Sequence, residues 1–128
     1  MSAEQPKPVI LEQPKPRFVI DSQSPYYLHL SEGPRVSITV VVFDRKNYDM
    51  WEKAVMTALR AKNKLEFIKG ILTQPDRTQG GDARELQAWE IVNSVVSSWL
   101  LNIIDPKLRL SIAQSDSARG MGSALKQE

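Results

Sequence analysis

Asp82-Ala83-Arg84-Glu85 and Asp105-Pro106 bracket a stretch with helical hydrophobic period that is too apolar to lie on a surface. The first four residues form a capping box, in which the Asp carboxylate and the Glu three residues on can each satisfy a first-turn amide that lacks an intrahelical partner. Apolar residues then recur at Leu86, Trp89, Val92, Val96, Trp99, Leu100 and Ile103, the spacing of one helix face. Val95, Val96, Trp99, Leu100 and Leu101 leave little polar surface in the C-terminal half. The pattern therefore predicts a helix that runs through the centre of a core. Asp105-Pro106 ends it and starts another, since Asp is a good N-cap and Pro suits the first helical position. A short helix over 107–113 follows. Asp116 is placed to cap a last helix over 117–126, although Gly120 and Gly122 each cost about 1 kcal/mol relative to Ala inside a helix.

A buried helix needs neighbours to cover it. Tyr48, Trp51, Val55, Ala58 and Leu59 form a second helical stripe, with Asp49, Glu52, Lys53 and Arg60 mainly off it. Asp44 or Asn47 can cap its start, and its end is expected near Asn63. Leu65, Phe67 and Ile68 form a short apolar patch closed by Gly70. Residues 73–81, with Pro75 and the Gly80-Gly81 pair, read as a surface loop. Upstream, Val36 to Phe43 is a β-branched run that predicts one strand, an edge or hairpin strand because no second run of that quality follows. Pro25, Gly33 and Pro34 surround Tyr26, Tyr27, Leu28, His29 and Leu30, a loop pinned by aromatic burial.

Ahead of that loop stands a near-repeat, Glu4-Gln5-Pro6-Lys7-Pro8 and Glu12-Gln13-Pro14-Lys15-Pro16. Proline fixes φ and deletes amide donors, so residues 1–23 are read as an extended, disordered proline-rich arm. The expected fold is mainly α. A small helical domain over 24–128, with one short N-terminal strand or hairpin, packs around Trp51, Trp89 and Trp99.

The same residues exclude much chemistry. A chain of 128 residues has room for one domain, and 41% hydrophobic with 25% charged residues is the balance of a folded protein. There is no cysteine, hence no disulfide, no thiol nucleophile and none of the usual ligands of structural zinc. The one histidine, His29, sits in the aromatic loop with nothing nearby to supply a Ser-His-Asp geometry. Asp82, Glu85, Asp105 and Asp116 are accounted for by capping. Gly80-Gly81 lacks the lysine and the strand-loop-helix setting of a phosphate cradle. No catalytic residue, cofactor, metal or small-molecule substrate is therefore expected. No run approaches the roughly 20 apolar residues that cross a bilayer, and the N-terminus does not read as a signal peptide. A soluble, cytoplasmic protein without a membrane partner is the expectation.

Arg60, Lys62, Lys64 and Lys69 form a basic cluster around Phe67. Cations are favoured at a helix C-terminus by the macrodipole, which suffices to explain them. The alternative is a patch that contacts nucleic-acid phosphates.

Taken together, these blocks resemble a known family. Ser24-Pro25-Tyr26-Tyr27-Leu28-His29 is similar to the opening signature of the Gag N-terminal region of copia-type LTR retrotransposons. There it is followed by a short hydrophobic strand and an Asn-Tyr…Trp helix start, here Asn47-Tyr48-Asp49-Met50-Trp51. The run from Ala58-Leu59-Arg60-Ala61-Lys62-Asn63-Lys64-Leu65 to Phe67 and Gly70 resembles the next block. Trp89, Asn93 and Ser98-Trp99-Leu100-Leu101-Asn102 resemble the second helix. The resemblance spans about 24–125. It marks Tyr26, Tyr27, Tyr48, Trp51, Leu59, Phe67, Trp89, Trp99 and Leu100 as fold determinants.

The resemblance implies a non-enzymatic, capsid-type protein that self-associates into a particle packaging element RNA. A Gag-derived binding module is the alternative, taking nucleic acid through residues 60–69 or a protein partner. Three departures stand out. Asp44-Arg45-Lys46 lacks the glycine usual before the Asn-Tyr pair, and Gly122 stands where the family's last helix usually carries Trp. The chain also stops at Glu128, before the rest of a capsid region and any zinc knuckle, so the domain is expected to be C-terminally truncated.

Overall fold

The computed structural model describes residues 18–76, 78, 80–114 and 117–127. Its described part is mainly helical: α1 (Tyr48–Ala61), α2 (Leu65–Lys69), α3 (Ala83–Asn102), α4 (Pro106–Ile112) and α5 (Ala118–Gln127). Residues 1–17 of the expected arm and the Asp116 cap lie outside the described residues.

α3 is the central helix, and the reason is its width of apolar surface. Ala88, Trp89, Val92, Val96, Trp99 and Leu100 are buried along it, with Asn93 and Ser97. Asp82 caps it by accepting from the Arg84 amide at 2.7 Å. Glu85, the other half of the capping box, takes the Tyr26 hydroxyl at 3.1 Å and so ties the aromatic loop to α3. Asp105 caps α4 through the Lys107 amide at 3.0 Å, with Pro106 in the first turn.

α5 packs across α2 and α3, burying Ala118, Met121 and Leu125. Two groups satisfy its first turn: the Ser117 hydroxyl accepts from the Gly120 amide, and Asn93 Oδ1 on α3 accepts from the Ala118 amide, each at 3.0 Å. The helix tolerates Gly122 because α2 comes close there; a Cβ at that position would lie 3.2 Å from Ile68 Cγ2. At the end of α2, Gly70 adopts φ +74° and its Cα is overlaid by the Arg119 side chain. Both features fit a helix C-terminus that only glycine enters without strain.

The strand expected over Val36 to Phe43 is reduced to one bridge. Phe43 donates to the Ile103 carbonyl at 2.8 Å and accepts from the Asp105 amide at 2.9 Å, a parallel pairing with Ile104. The segment has β propensity, but no second strand lies beside it among the described residues. Propensity alone does not make a ladder. Residues 18–23, expected within the arm, touch the helical body: Phe18 packs edge-on to Tyr26 and the Gln23 carbonyl accepts from Asn63 Nδ2 at 3.1 Å.

Each tryptophan of the core also holds a carbonyl outside the helices. Trp51 Nε1 donates to Ile103 O at 3.1 Å, Trp89 Nε1 to Leu72 O at 3.3 Å and Trp99 Nε1 to Gly33 O at 2.8 Å. The indole rings thus fill the core and fix the connecting segments, since a buried indole N–H needs an acceptor.

Candidate interaction site

The two sequence blocks around Tyr26-Tyr27 and Lys62-Asn63-Lys64 meet in space. α1 ends at Ala61, and Asn63 takes φ +58°, a left-handed residue that lets the chain turn sharply into α2. This turn drives Lys64 inward, where the residue is 2% exposed. Its ammonium donates to the Tyr27 carbonyl at 2.7 Å and the Lys62 carbonyl at 3.1 Å. Burial holds its pKa below the usual lysine value; nearby Glu32 acts in the opposite direction and Lys62 in the same.

Lys62 lies 3.7 Å from Glu32 Oε2 and 5.4 Å from the centre of the Trp99 ring. Glu32 Oε1 accepts from the His29 amide at 3.1 Å, and the exposed His29 ring sits edge-on to Tyr27. A cleft of about 320 Å³ opens over this cluster, lined by Ser22, Tyr27, His29, Glu32, Lys62 and Asn63 among others. Its charges largely face one another, so it is a clasp between loop and helices and not a seat for an anion.

The basic cluster is therefore not one surface. Lys64 is turned away from the others: the residue is 2% exposed and its ammonium donates to two backbone carbonyls. Lys62 is half-buried and paired with Glu32, while Arg60 and Lys69 are exposed. Lys69 joins a different group that the sequence did not reveal. With Arg119 and Lys126 of α5 it lines a cleft of about 290 Å³ between α1, α2 and α5, whose floor includes Tyr48, Trp51 and Ile68. Glu52 lies in the same cleft and accepts the Tyr48 hydroxyl. Burial, then Glu52 as acceptor and as charge, pushes the Tyr48 phenol up to about 12. Arg119 and Lys126 are 50 or more positions from Lys69 in sequence, so only the packing of α5 on α2 could unite them.

The nine residues marked as fold determinants are placed as follows. Tyr26, Trp51, Leu59, Phe67, Trp89, Trp99 and Leu100 are buried in the core, and Tyr27 and Tyr48 are half-buried beside it. Tyr26 stacks edge-on with Phe67, and Phe43 with Tyr48.

The turn at Asn63, with Lys62, Lys64 and Glu32, falls inside a stretch with a known counterpart. A family model described as the Gag-polypeptide of LTR copia-type matches residues 29–76. Over that segment the chain is similar to copia-type Gag. No curated protein and no solved structure matches the chain. The matched segment holds α1, α2 and the loop that carries Glu32 and Phe43. Copia-type Gag is a structural polyprotein region and not a catalytic domain. Among the described residues, no group of three or more His, Asp or Glu is arranged to hold a metal ion, and no helix is long and apolar enough to cross a membrane.

In the Asp44-Arg45-Lys46 loop, Arg45 adopts φ +77°, in the region where a side chain is strained and glycine is not. The loop before α1 keeps its conformation through Asn47, whose Oδ1 accepts from the Asp44 amide at 3.0 Å and whose Nδ2 donates to Val42 O at 2.7 Å. Asn47 is thus the N-cap of α1 by position, with its side chain turned back to the loop and not onto the helix.

Proposed function

We propose that this chain is a Gag-type structural protein that acts in the cytoplasm by self-association, forming a particle around element RNA. The observation that carries the reading is the copia-type Gag match over 29–76. Within it, the residues of the family blocks are spent on the core and on the loop clasp, which leaves the outer faces free to meet other copies. Size-exclusion light scattering across a wide concentration range tests it. Growth of molar mass with concentration is expected; a constant monomer mass would refute it.

A second reading, a nucleic-acid-binding module, is favoured by the cleft of Lys69, Arg119 and Lys126 beside Tyr48. Cations around an aromatic are a suitable surface for a single strand. Binding of single-stranded RNA should weaken as salt rises, because phosphate contacts release counterions. Replacing Arg119 and Lys126 together by Glu should abolish it, while salt-independent binding would exclude this cleft as its seat.

A further inference from the structure

We propose that the segment 1–17 packs back on the chain's own body, with Val9-Ile10-Leu11 seated in a groove along the outer face of α3. The proposal does not rest on the self-association reading; it adds that one outer face is covered by the chain itself.

The groove follows the solvent side of α3. Gln87, Ile91, Ser94 and Ser98 recur at helical spacing on one face and line two clefts, which share Gln87 and Ile91 and so run into one another. The first, of about 390 Å³, also takes in Phe18, Ile20 and Tyr26. The second, of about 630 Å³, is bounded by Pro34, whose carbonyl accepts from Asn102 Nδ2 at 2.8 Å and is thereby held to the end of α3. This surface is less polar than its serines suggest. The hydroxyls of Ser94 and Ser98 donate to the carbonyls of Glu90 and Ser94 one turn back, at 2.8 and 3.0 Å, which spends their protons within the helix. Beside them Ile91 is 52% exposed and Val95 half-buried, a surface suited to aliphatic side chains.

The position of the chain's entry and the length of the segment select the occupant. Phe18 lies edge-on to Tyr26 with 5.5 Å between ring centres and lines the first cleft, so the segment 1–17 joins the body at the groove. That segment holds one run of large aliphatic residues, Val9-Ile10-Leu11, set between Pro8 and Pro14. In the extended form that prolines favour, Leu11 can reach about 22 Å from Phe18, whereas Ala88 to Ser98 covers about 15 Å along the axis of α3. The tether therefore spans the second cleft with slack. Charge agrees: Lys7 and Lys15 flank the run, opposite in sign to Glu90, which lines the second cleft. A segment tethered this closely meets its groove at about millimolar effective concentration, so a contact too weak to hold a separate protein is made within one chain.

The chain has no cysteine, so an introduced pair reports proximity cleanly, since a disulfide needs Cα atoms within about 7 Å. In dilute solution, the full chain with Ile10→Cys and Ser94→Cys should close an intramolecular disulfide about tenfold faster, or more, than one with Ile10→Cys and Leu110→Cys; Leu110 is 81% exposed on α4. A second measurement leaves the helical body unaltered. Val9→Ser, Ile10→Ser and Leu11→Ser together should shift the methyl NMR signals of Ile91 and Val95 and leave those of the buried Ile112 in place. Closure of both cysteine pairs at equal rates, or Ile91 and Val95 methyls that ignore the serine substitutions, would overturn the docking. Disulfides that form between molecules and rise with concentration would overturn the tethered arrangement and place the segment on a second copy.

Discussion

Lys64 Nζ lies 2.7 Å from the carbonyl oxygen of Tyr27, across 37 residues of sequence. The contact joins the aromatic loop to the turn between α1 and α2, and it assigns the Lys62-Asn63-Lys64 stretch a structural task. Asn63 bends the chain, Lys64 hooks the loop, and Lys62 covers Trp99 while facing Glu32.

Lys64→Met keeps the length of the side chain and removes the donor. Two carbonyls then lose a charged partner, and bonds of that kind contribute about 1.5–3 kcal/mol each, part of which is regained because a buried charge is also removed. A net loss of about 1–3 kcal/mol is expected from urea unfolding. The salt dependence of any RNA binding should not change, since the ammonium does not face solvent. A variant as stable as wild type would contradict the clasp.

Alkaline pH should loosen the fold through Tyr26 and Tyr48. Burial first, then the charge and hydrogen bond of Glu85, raises the Tyr26 phenol well above the usual tyrosine range. Tyr48 is pushed up to about 12. Unfolded tyrosines lose their protons near about pH 10, so above that value the unfolded chain binds fewer protons than the folded one. Stability is therefore complete below pH 10 and falls as pH rises towards 12. Phenolate absorbance of the folded chain should show Tyr26 and Tyr48 titrating late, and ionisation of both at the ordinary value would count against these contacts.

Arg45→Gly should stabilise the chain. A left-handed residue with a Cβ costs about 1–2 kcal/mol, and glycine's greater freedom in the unfolded state returns part of the gain. A rise of about 0.5–1 kcal/mol in unfolding free energy is expected. Gly70→Ala at φ +74° should move the other way, since the new methyl also meets Arg119. Equal melting temperatures for all three proteins would speak against strain at either position.

Trp99→Ala is the severest single change available to the core. The side chain is fully buried, and its indole N–H holds Gly33 O. Truncation of a buried aromatic costs about 3–5 kcal/mol, and release of the loop adds to it. Trp99→Phe, which refills most of the volume but leaves Gly33 O unmet, should fall between the two. Wild-type unfolding of Trp99→Ala would remove this residue from the core.

What could be read in the sequence was what is decided locally. Asp82 and Asp105 cap the helices they precede, Gly70 closes α2, and the spacing of Trp89, Val96 and Trp99 marks the buried face of α3, because capping and periodicity depend on residues a few positions apart. Lys64 could not be read in this way; a lysine between Asn63 and Leu65 looks solvent-facing until the turn at Asn63 directs it inward. Asn93 reaches the first turn of α5 across 25 residues, a cap with no local signal. The strand over 36–43 fell short for the opposite reason: its local signal is strong, but a strand needs a partner that the described chain does not supply. The cleft of Lys69, Arg119 and Lys126 arises only from the packing of α5 on α2.

The most direct test of the self-association account is the molar mass of the purified chain by size-exclusion light scattering, from dilute to concentrated protein and at low and high salt. The account predicts growth to dimers and larger closed species with rising concentration. A single monomer mass over the whole range would contradict it.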